Sequence, residues 1–299
     1  MLHVLFDVIL PVALVAACGG LVGRWKAIPV APISTLVFYL FSPALVLHSL
    51  ATTQLSAGAS FRIFGVMIAT YAAMYVAATA WSLLVRHDRS MRAGFALAAT
   101  IPNVGNMGLP VAQLAFGAPG LEVAVMNFIA GSALANSASI VVASTAGGSR
   151  AEAFRAPFRY PALYAAAAGA AINAFGIDLP VAINAPITTL SNAAVPAMLV
   201  VLGLQLQHAV SLDHLTDLVA VNSGRLLIAP VVAWFTATAL GLSDVTRGTL
   251  VVLAAMPTAV IATILATEFN AQPAFVTRAV VTSTLASMLS LTVLITLVQ

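Results

Sequence analysis

Ten long runs of apolar residues follow one another along the chain, separated by short polar, charged or Gly/Pro-containing breaks. A helix needs about 20 mostly apolar residues to cross a bilayer, and each run has roughly that length. The clearest hydrophilic breaks are RHDRSMR at 86–92 and GGSRAEAFRAPFR at 147–159. The pattern predicts an all-α membrane protein with ten transmembrane helices, numbered here as spans one to ten: 3–23, 29–53, 61–85, 91–116, 120–146, 158–176, 180–207, 217–241, 246–268 and 273–298.

The composition supports this interpretation. Hydrophobic residues make up 61% and charged residues 7% of the 299 positions, whereas soluble domains carry about 25% charged residues. Because so little polar surface cannot cover a globule in water, the solvent must be largely the lipid bilayer. A net charge of +3 without a basic tail does not indicate a nucleic-acid partner. A single cysteine, Cys18, excludes an internal disulfide.

The two halves of the chain resemble each other. PISTL at 32–36 is echoed by PITTL at 186–190, and Pro102 is matched by Pro257. Each half holds five spans, so the second copy must enter the membrane from the opposite side, which is the inverted-repeat plan of many secondary transporters. We therefore expect a first five-helix repeat over 1–146, a cytoplasmic linker over 147–157 and an inverted repeat over 158–299.

Lysines and arginines predict the orientation. Most of them fall in the odd-numbered connections between spans, and the positive-inside rule places such connections in the cytoplasm. We expect a multi-pass protein of the cytoplasmic (inner) membrane with both termini on the outer side.

Spans four and nine contain helix-breaking segments at matching depth. Span four includes IPNVGNMGLP, in which Pro102, Gly105, Gly108 and Pro110 should interrupt the helix near the bilayer midplane. Span nine includes AAMPTAVIATIL, with Pro257 at the corresponding position. Two broken helices in corresponding positions of inverted halves indicate a transport site. Their exposed N-terminal N–H groups and partial positive charges favour an anion.

Polar residues near these breaks are the candidates for substrate contact. We expect Asn103 to contact the anionic substrate, with a structural amide that satisfies backbone groups as the alternative role, and we expect Asn106 and Thr258 to form polar lining. Asn192 in span seven is a further candidate for ligand contact, with helix packing as the alternative role. Arg225 in span eight either attracts the anionic substrate or anchors backbone carbonyls at a helix break, and the sequence leaves both roles open.

The breaks and their surroundings resemble the auxin efflux carrier family of membrane transporters, which includes plant PIN-type auxin carriers and bacterial permeases assigned to malate or malonate. The resemblance covers essentially all ten spans. It is carried by the pattern PN…MG-P…FG, which consists of Pro102, Asn103, Met107, Gly108, Pro110, Phe116 and Gly117. Three longer segments also carry it: 189–206, 224–230 and 255–273.

This resemblance implies a scaffold domain of spans one, two, six and seven, and a transport domain of spans three to five and eight to ten. It also implies carboxylate substrates, elevator-type alternating access and a homodimer, and it assigns a substrate contact to Asn103. Three departures argue against auxin itself. Ala162 and Asn192 stand where plant members have an asparagine and an aspartate, and the central loop is short.

Two other functions stay open. One is a sodium-coupled symporter of the bile-acid-symporter type, and the other is a non-transporting membrane receptor on the same scaffold. The sequence contains neither HExxH nor GxSxG, and its histidines are scattered. We therefore expect no enzyme, no metal centre and no cofactor, and the sequence assigns neither Na⁺ nor H⁺ as a coupling ion.

Overall fold

A computed structural model describes residues 1–146, 161–206 and 213–299, with the backbone alone over 133–146. Within these residues the secondary structure is helical. The helices, in chain order, are α1 Leu2–Lys26, α2 Val30–Ala51, α3 Ala57–Leu84, α4 Arg89–Thr100, α5 104–146, α6 Pro161–Ala174, α7 Val181–Gln205, α8 Leu215–Ala239, α9 Asp244–Ala254, α10 Val260–Glu268 and α11 Pro273–Val298.

Seven helices in the described part of the chain are long and apolar enough to cross a membrane: α1, α2, α3, the 104–132 part of α5, α7, α8 and α11. The prediction of a multi-pass helical membrane protein is therefore confirmed. Predicted spans four and nine are each divided, span four into α4 and the start of α5, and span nine into α9 and α10. The predicted linker over 147–157 lies outside the described residues.

The end of span four is marked by one glycine. Gly117 has φ +67° and ψ −153°, a conformation that side chains disfavour, and Pro119 follows it. This non-helical residue separates the two helical parts of α5, at the boundary that the sequence predicts between spans four and five.

Four helices in the described part of the chain contain a wider, π-helical turn just before a proline. The turns cover Leu5–Ile9, Val37–Phe41, Val104–Gly108 and Gly224–Ile228, and the prolines stand at 11, 43, 110 and 230. A proline has no N–H and its ring collides with the carbonyl four residues earlier. In each case the residue after the turn donates to the carbonyl five residues earlier. The π-turn therefore lets the helix continue through the proline.

Helices α1, α2, α6 and α7 pack against one another. The closest approach joins α1 and α7, where an added Cβ on Gly203 would lie 1.7 Å from the carbonyl oxygen of Ala16. An added Cβ on Gly19 would lie 2.7 Å from the carbonyl oxygen of Val200. Small residues allow this contact because helix association in lipid depends on close van der Waals packing.

The remaining helices form a second packed group. Helices α3, α4, α8, α9, α10 and α11 share a large cluster of buried apolar side chains that includes Phe95, Leu250 and Phe275. Helix α5 packs against α9 and α3 and also reaches α2 and α7. The two divided helices thus lie where this second group meets the first.

Candidate functional site

The two helix interruptions lie against each other. Residues 101–103 separate α4 from α5, and residues 255–259 separate α9 from α10. The segments pair in antiparallel fashion through a single β-bridge between Pro102 and Thr258. We call these two segments the crossing.

Backbone hydrogen bonds hold the crossing together. The N–H of Asn103 donates to the carbonyl of Pro257 at 2.7 Å, and the N–H of Ala259 donates to the carbonyl of Ile101 at 2.9 Å. An unpaired backbone N–H or C=O group in the apolar part of a membrane has a free-energy cost of several kcal/mol. Pairing between the two segments therefore satisfies groups that each break alone would leave open.

Two helix N-termini begin at the crossing, α5 at Val104 and α10 at Val260. Asn103 caps α5, since its side-chain oxygen accepts a hydrogen bond from the N–H of Asn106 at 3.3 Å. Ala259 precedes α10 and provides no side-chain cap. Helix N-termini carry free N–H groups and partial positive charge. The arrangement is therefore suited to an anion.

Two helix C-termini also end at the crossing, and Arg225 covers them. This side chain lies in the π-turn of α8 and is 0% exposed. Its Nη1 donates to the carbonyl of Ala99 at 3.2 Å, and its Nη2 donates to the carbonyls of Ala254 at 2.8 Å and Met256 at 3.1 Å. Its Nε donates to the same Met256 carbonyl at 3.3 Å.

The Arg225 contacts explain how a charge is accommodated inside a span. The guanidinium faces carbonyl groups that α4 and α9 cannot use themselves, and helix C-termini carry partial negative charge. No carboxylate pairs with it among the residues that the structure describes. A small cavity of about 10 Å³ beside it, lined also by Thr70, Tyr71 and Asn127, is about the size of one water molecule.

Thr258 completes the bonding on this side of the crossing. It is 0% exposed, and its hydroxyl donates to the carbonyl of Ala98 at 2.9 Å. Its backbone N–H donates to the hydroxyl of Ser283 on α11 at 3.0 Å. Thr258 thus ties span nine to span four and to α11.

A cavity of about 200 Å³ lies between the crossing and helices α2 and α7. Its walls are mainly apolar, with side chains from α2, α5, α7 and α10. No charged side chain lines it among the described residues. The apolar lining residues are Val37, Phe38, Ile101, Val104, Phe128, Met198, Val201, Val260, Ile261 and Ile264.

Two polar groups that line this cavity have unused hydrogen-bonding capacity. Asn103 is 4% exposed, and its Nδ2 has no partner within the described chain. The same holds for the buried Oγ of Ser34 on α2. Buried polar atoms without partners are costly and rare in proteins. A polar ligand in the cavity would satisfy both.

One side-chain contact joins the crossing to α7 at the cavity. The Nδ2 of Asn106 donates to the Oε1 of Gln205 at 3.4 Å, a long hydrogen bond. The contact links the two packed helix groups next to the position where a ligand would lie.

The predicted site residues fall into separate places. Pro102, Asn103, Gly105 and Asn106 line the cavity. Thr258 and Arg225 lie at the crossing but do not line the cavity, because their polar groups face the ends of α4 and α9.

The other predicted residues lie farther along the helices. Asn192 is exposed on α7 and is not among the cavity residues. Gly108 and Pro110 are buried at and after the π-turn of α5, and an added Cβ at Gly108 would lie 2.9 Å from Leu253. These two residues support the packing of the broken helix on α9.

Sequence analysis missed Ser34 and Gln205. Ser34 belongs to the PISTL segment that indicated the repeat, and Gln205 ends α7. Each is a polar side chain within an apolar span. That contrast was available in the sequence, but it does not indicate which helix face borders a cavity.

Interrupted helices that meet inside a multi-pass helical protein are typical of membrane transport proteins. A family model described as "Membrane transport protein" matches residues 4–153 and 150–295. The chain belongs to this family, the auxin efflux carrier family. The resemblance seen in the sequence is confirmed.

A relative from Methanothermobacter thermautotrophicus is described as an uncharacterized transporter. It is 29% identical to this chain over 198 residues, which cover 66% of this chain and 65% of the relative. The match thus spans about two thirds of each protein, and the relative's description does not specify a substrate.

Proposed function

We propose that this protein is a secondary transporter that moves a small organic anion, a carboxylate, across the cytoplasmic membrane. The observation that carries the proposal is the buried Nδ2 of Asn103, which has no partner among the described residues and lies in a cavity beside two helix N-termini. A carboxylate oxygen accepts hydrogen bonds from amide N–H groups. It also offsets the partial positive charge of the helix ends.

The lining of the cavity favours a substrate with one carboxylate and an apolar body. A single anionic end can bind Asn103, Ser34 and the helix N-termini, while the rest of the molecule contacts Phe38, Phe128 and other apolar side chains. A second carboxylate would be buried without a charged partner, which costs a great deal of free energy. Monocarboxylates should therefore be preferred over malate-like dicarboxylates.

The position of the cavity supports elevator-type alternating access. One wall belongs to α2 and α7, and the opposite wall to the crossing. Helices α1, α2, α6 and α7 pack together and serve in the proposal as the static scaffold, through which two copies would associate in a homodimer. The proposed chain has ten spans in two inverted repeats, and its transport domain consists of spans three to five and eight to ten. This domain would carry the substrate past the scaffold.

Transport measurements with Asn103 variants test the proposal. Asn103→Asp keeps the side-chain oxygen that caps α5 but replaces the Nδ2 donor with a negatively charged oxygen. Purified protein in liposomes is given labelled mono- and dicarboxylates, with and without Na⁺ or pH gradients. We expect monocarboxylate uptake by the wild type and at least about tenfold slower uptake by Asn103→Asp, since a charge-assisted hydrogen bond contributes about 1.5–3 kcal/mol.

Asn184→Asp is the matched control, because Asn184 is exposed near the start of α7 and is not a cavity residue. It should transport at the wild-type rate. Normal uptake by Asn103→Asp would refute the assignment of the site. Saturable binding of a monocarboxylate without uptake under any gradient would refute transport and favour a receptor.

A further inference from the structure

A second cavity lies away from the crossing, on the outer face of α8 and α11. It is an open groove of about 620 Å³ with an almost entirely apolar lining. Leu227, Val231 and Phe235 border it on α8, and Val293 and Leu297 border it on α11. These five side chains are between 43% and 73% exposed, so the groove faces the hydrocarbon of the bilayer.

The course of α8 explains why the groove exists. Residues Leu215–Ser223 and the π-turn Gly224–Ile228 pack against α11. The residues that follow, Ala229–Ala239, pack mainly against α9 and α3. Prolines and π-turns are common sites of helix bending, and α8 changes its packing partners at this point, which leaves the space between its second half and α11 open.

The length of the groove corresponds to one leaflet of a bilayer. Its lining on α8 runs from Leu226 to Phe235, a rise of about 14 Å at 1.5 Å per residue. Half of a hydrocarbon core is about 15 Å thick. One extended acyl chain of a single leaflet therefore matches the groove.

An arginine that is paired with an aspartate lies beside the end of the groove at Trp234. The Cζ of Arg247 lies 4.8 Å from the centre of the Trp234 ring, and Val251, one helical turn after Arg247, lines the groove. Tryptophan and arginine are typical of the headgroup level of membranes. Arg247 pairs with Asp244, whose side chain is 90% exposed. The Nε of Arg247 has no partner within the described residues.

We propose that this groove binds one phospholipid, with an acyl chain between α8 and α11 and the phosphate on Arg247. An apolar groove as long as one leaflet favours an acyl chain. The guanidinium beside the end of the groove favours an anionic group, because arginine binds phosphate well. The site is independent of the crossing and of the substrate proposed for it. Its lipid lies against the helix that supplies Arg225.

Native mass spectrometry of the detergent-purified full chain tests the proposal. The probes are phosphatidylglycerol, which carries a phosphate and a net negative charge, and a diacylglycerol with the same acyl chains but no phosphate. We expect the wild type to retain one phosphatidylglycerol and not the diacylglycerol. Val293→Trp, which fills the groove, should abolish retention. Arg247→Gln should weaken it at least about tenfold, the value of a lost charge-assisted hydrogen bond.

Two controls match these variants. Leu285→Trp adds the same side chain to α11 at a residue that is 60% exposed and outside the groove lining. Lys26→Gln removes a cation that lies 3.9 Å from the ring centre of Trp25, at a position outside the groove. Both should retain the lipid as the wild type does.

Three results would overturn the proposal: no lipid retained by the wild type, equal retention by Val293→Trp and Leu285→Trp, or equal retention of the diacylglycerol. If Val293→Trp does not give a monodisperse protein, Val231→Trp fills the groove from the opposite wall and is read in the same way.

Discussion

The two sides of the crossing differ in how their polar groups are satisfied. On one side, the carbonyls at the ends of α4 and α9 are bonded by Arg225, and the hydroxyl of Thr258 is bonded to Ala98. On the other side, the amide of Asn103 and the hydroxyl of Ser34 have no partner within the described chain and border a cavity.

This difference follows from the direction of the helix dipole. Each broken span has one C-terminus and one N-terminus at the crossing. Arg225 binds the carbonyls at the C-termini, whereas the N-termini face a cavity that no charged side chain of the described residues lines. We infer that one side of the crossing stabilises the fold and the other is kept for a ligand. Substitutions on the Arg225 side should therefore act mainly through stability, whereas substitutions on the cavity side should act mainly on transport.

Removing the guanidinium should have the largest effect. In Arg225→Met, the carbonyls of Ala99, Ala254 and Met256 lose their donor in an apolar interior. Each buried carbonyl left without its donor costs about 1–3 kcal/mol, and three carbonyls are affected, so we expect a strongly lowered thermal unfolding temperature in detergent and no transport. Arg62→Met is the control, because Arg62 is exposed and makes a single hydrogen bond of 3.5 Å to Gly241. An unchanged unfolding temperature in Arg225→Met would contradict a stabilising role for this side.

Removing the hydroxyl of Thr258 should have an intermediate effect. Thr258→Val keeps the size of the side chain and leaves the carbonyl of Ala98 without its donor, at a cost of about 1–3 kcal/mol. Thermal unfolding measures this loss. In Thr267→Val, the lost hydroxyl is exposed and bonded only within its own helix, so stability should change little. A purely substrate-binding role for Thr258 predicts the reverse: normal stability and a raised KM.

Removing the hydroxyl of Ser34 should have the smallest effect on the fold. Because the Oγ of Ser34 has no partner in the part of the chain that the structure describes, Ser34→Ala should unfold at the wild-type temperature or slightly above it. Its affinity for the substrate should fall about 3- to 10-fold, the value of one hydrogen bond of about 0.5–1.5 kcal/mol. Measured KM values in liposomes, with Ser60→Ala as the control, test this. A destabilised Ser34→Ala with unchanged KM would show that the two sides do not differ in the way inferred here.

The sequence predicted the elements whose cause is local. A proline lacks its N–H in any surroundings, so Pro102 and Pro257 indicated where two spans are interrupted. Long apolar runs likewise predicted the continuous helices, because the hydrocarbon core sets their length. The repeat suggested that the two breaks correspond, and the structure brings them together.

The sequence did not predict features that depend on distant partners. The sequence left Arg225 open to both a substrate contact and an anchor role, because only the positions of Ala99, Ala254 and Met256 decide which carbonyls or ligands it reaches. Ser34 and Gln205 were missed because one polar residue in an apolar helix does not reveal the face that borders a cavity. The sequence could predict that Asn103 and Asn106 lie at the site, since both lie next to the prolines and glycines that interrupt span four.

The wider turn in α8 has a consequence for how this chain tolerates insertions and deletions. A π-turn holds one residue more than the α-helix would need for the same rise, and one residue corresponds to about 100° of rotation around the axis. Deleting one residue from 226–228 would keep α8 helical but swing its N-terminal half, including Arg225, by about that angle. The guanidinium would then point away from the crossing. The extra residue of the π-turn therefore determines the direction in which the Arg225 side chain points.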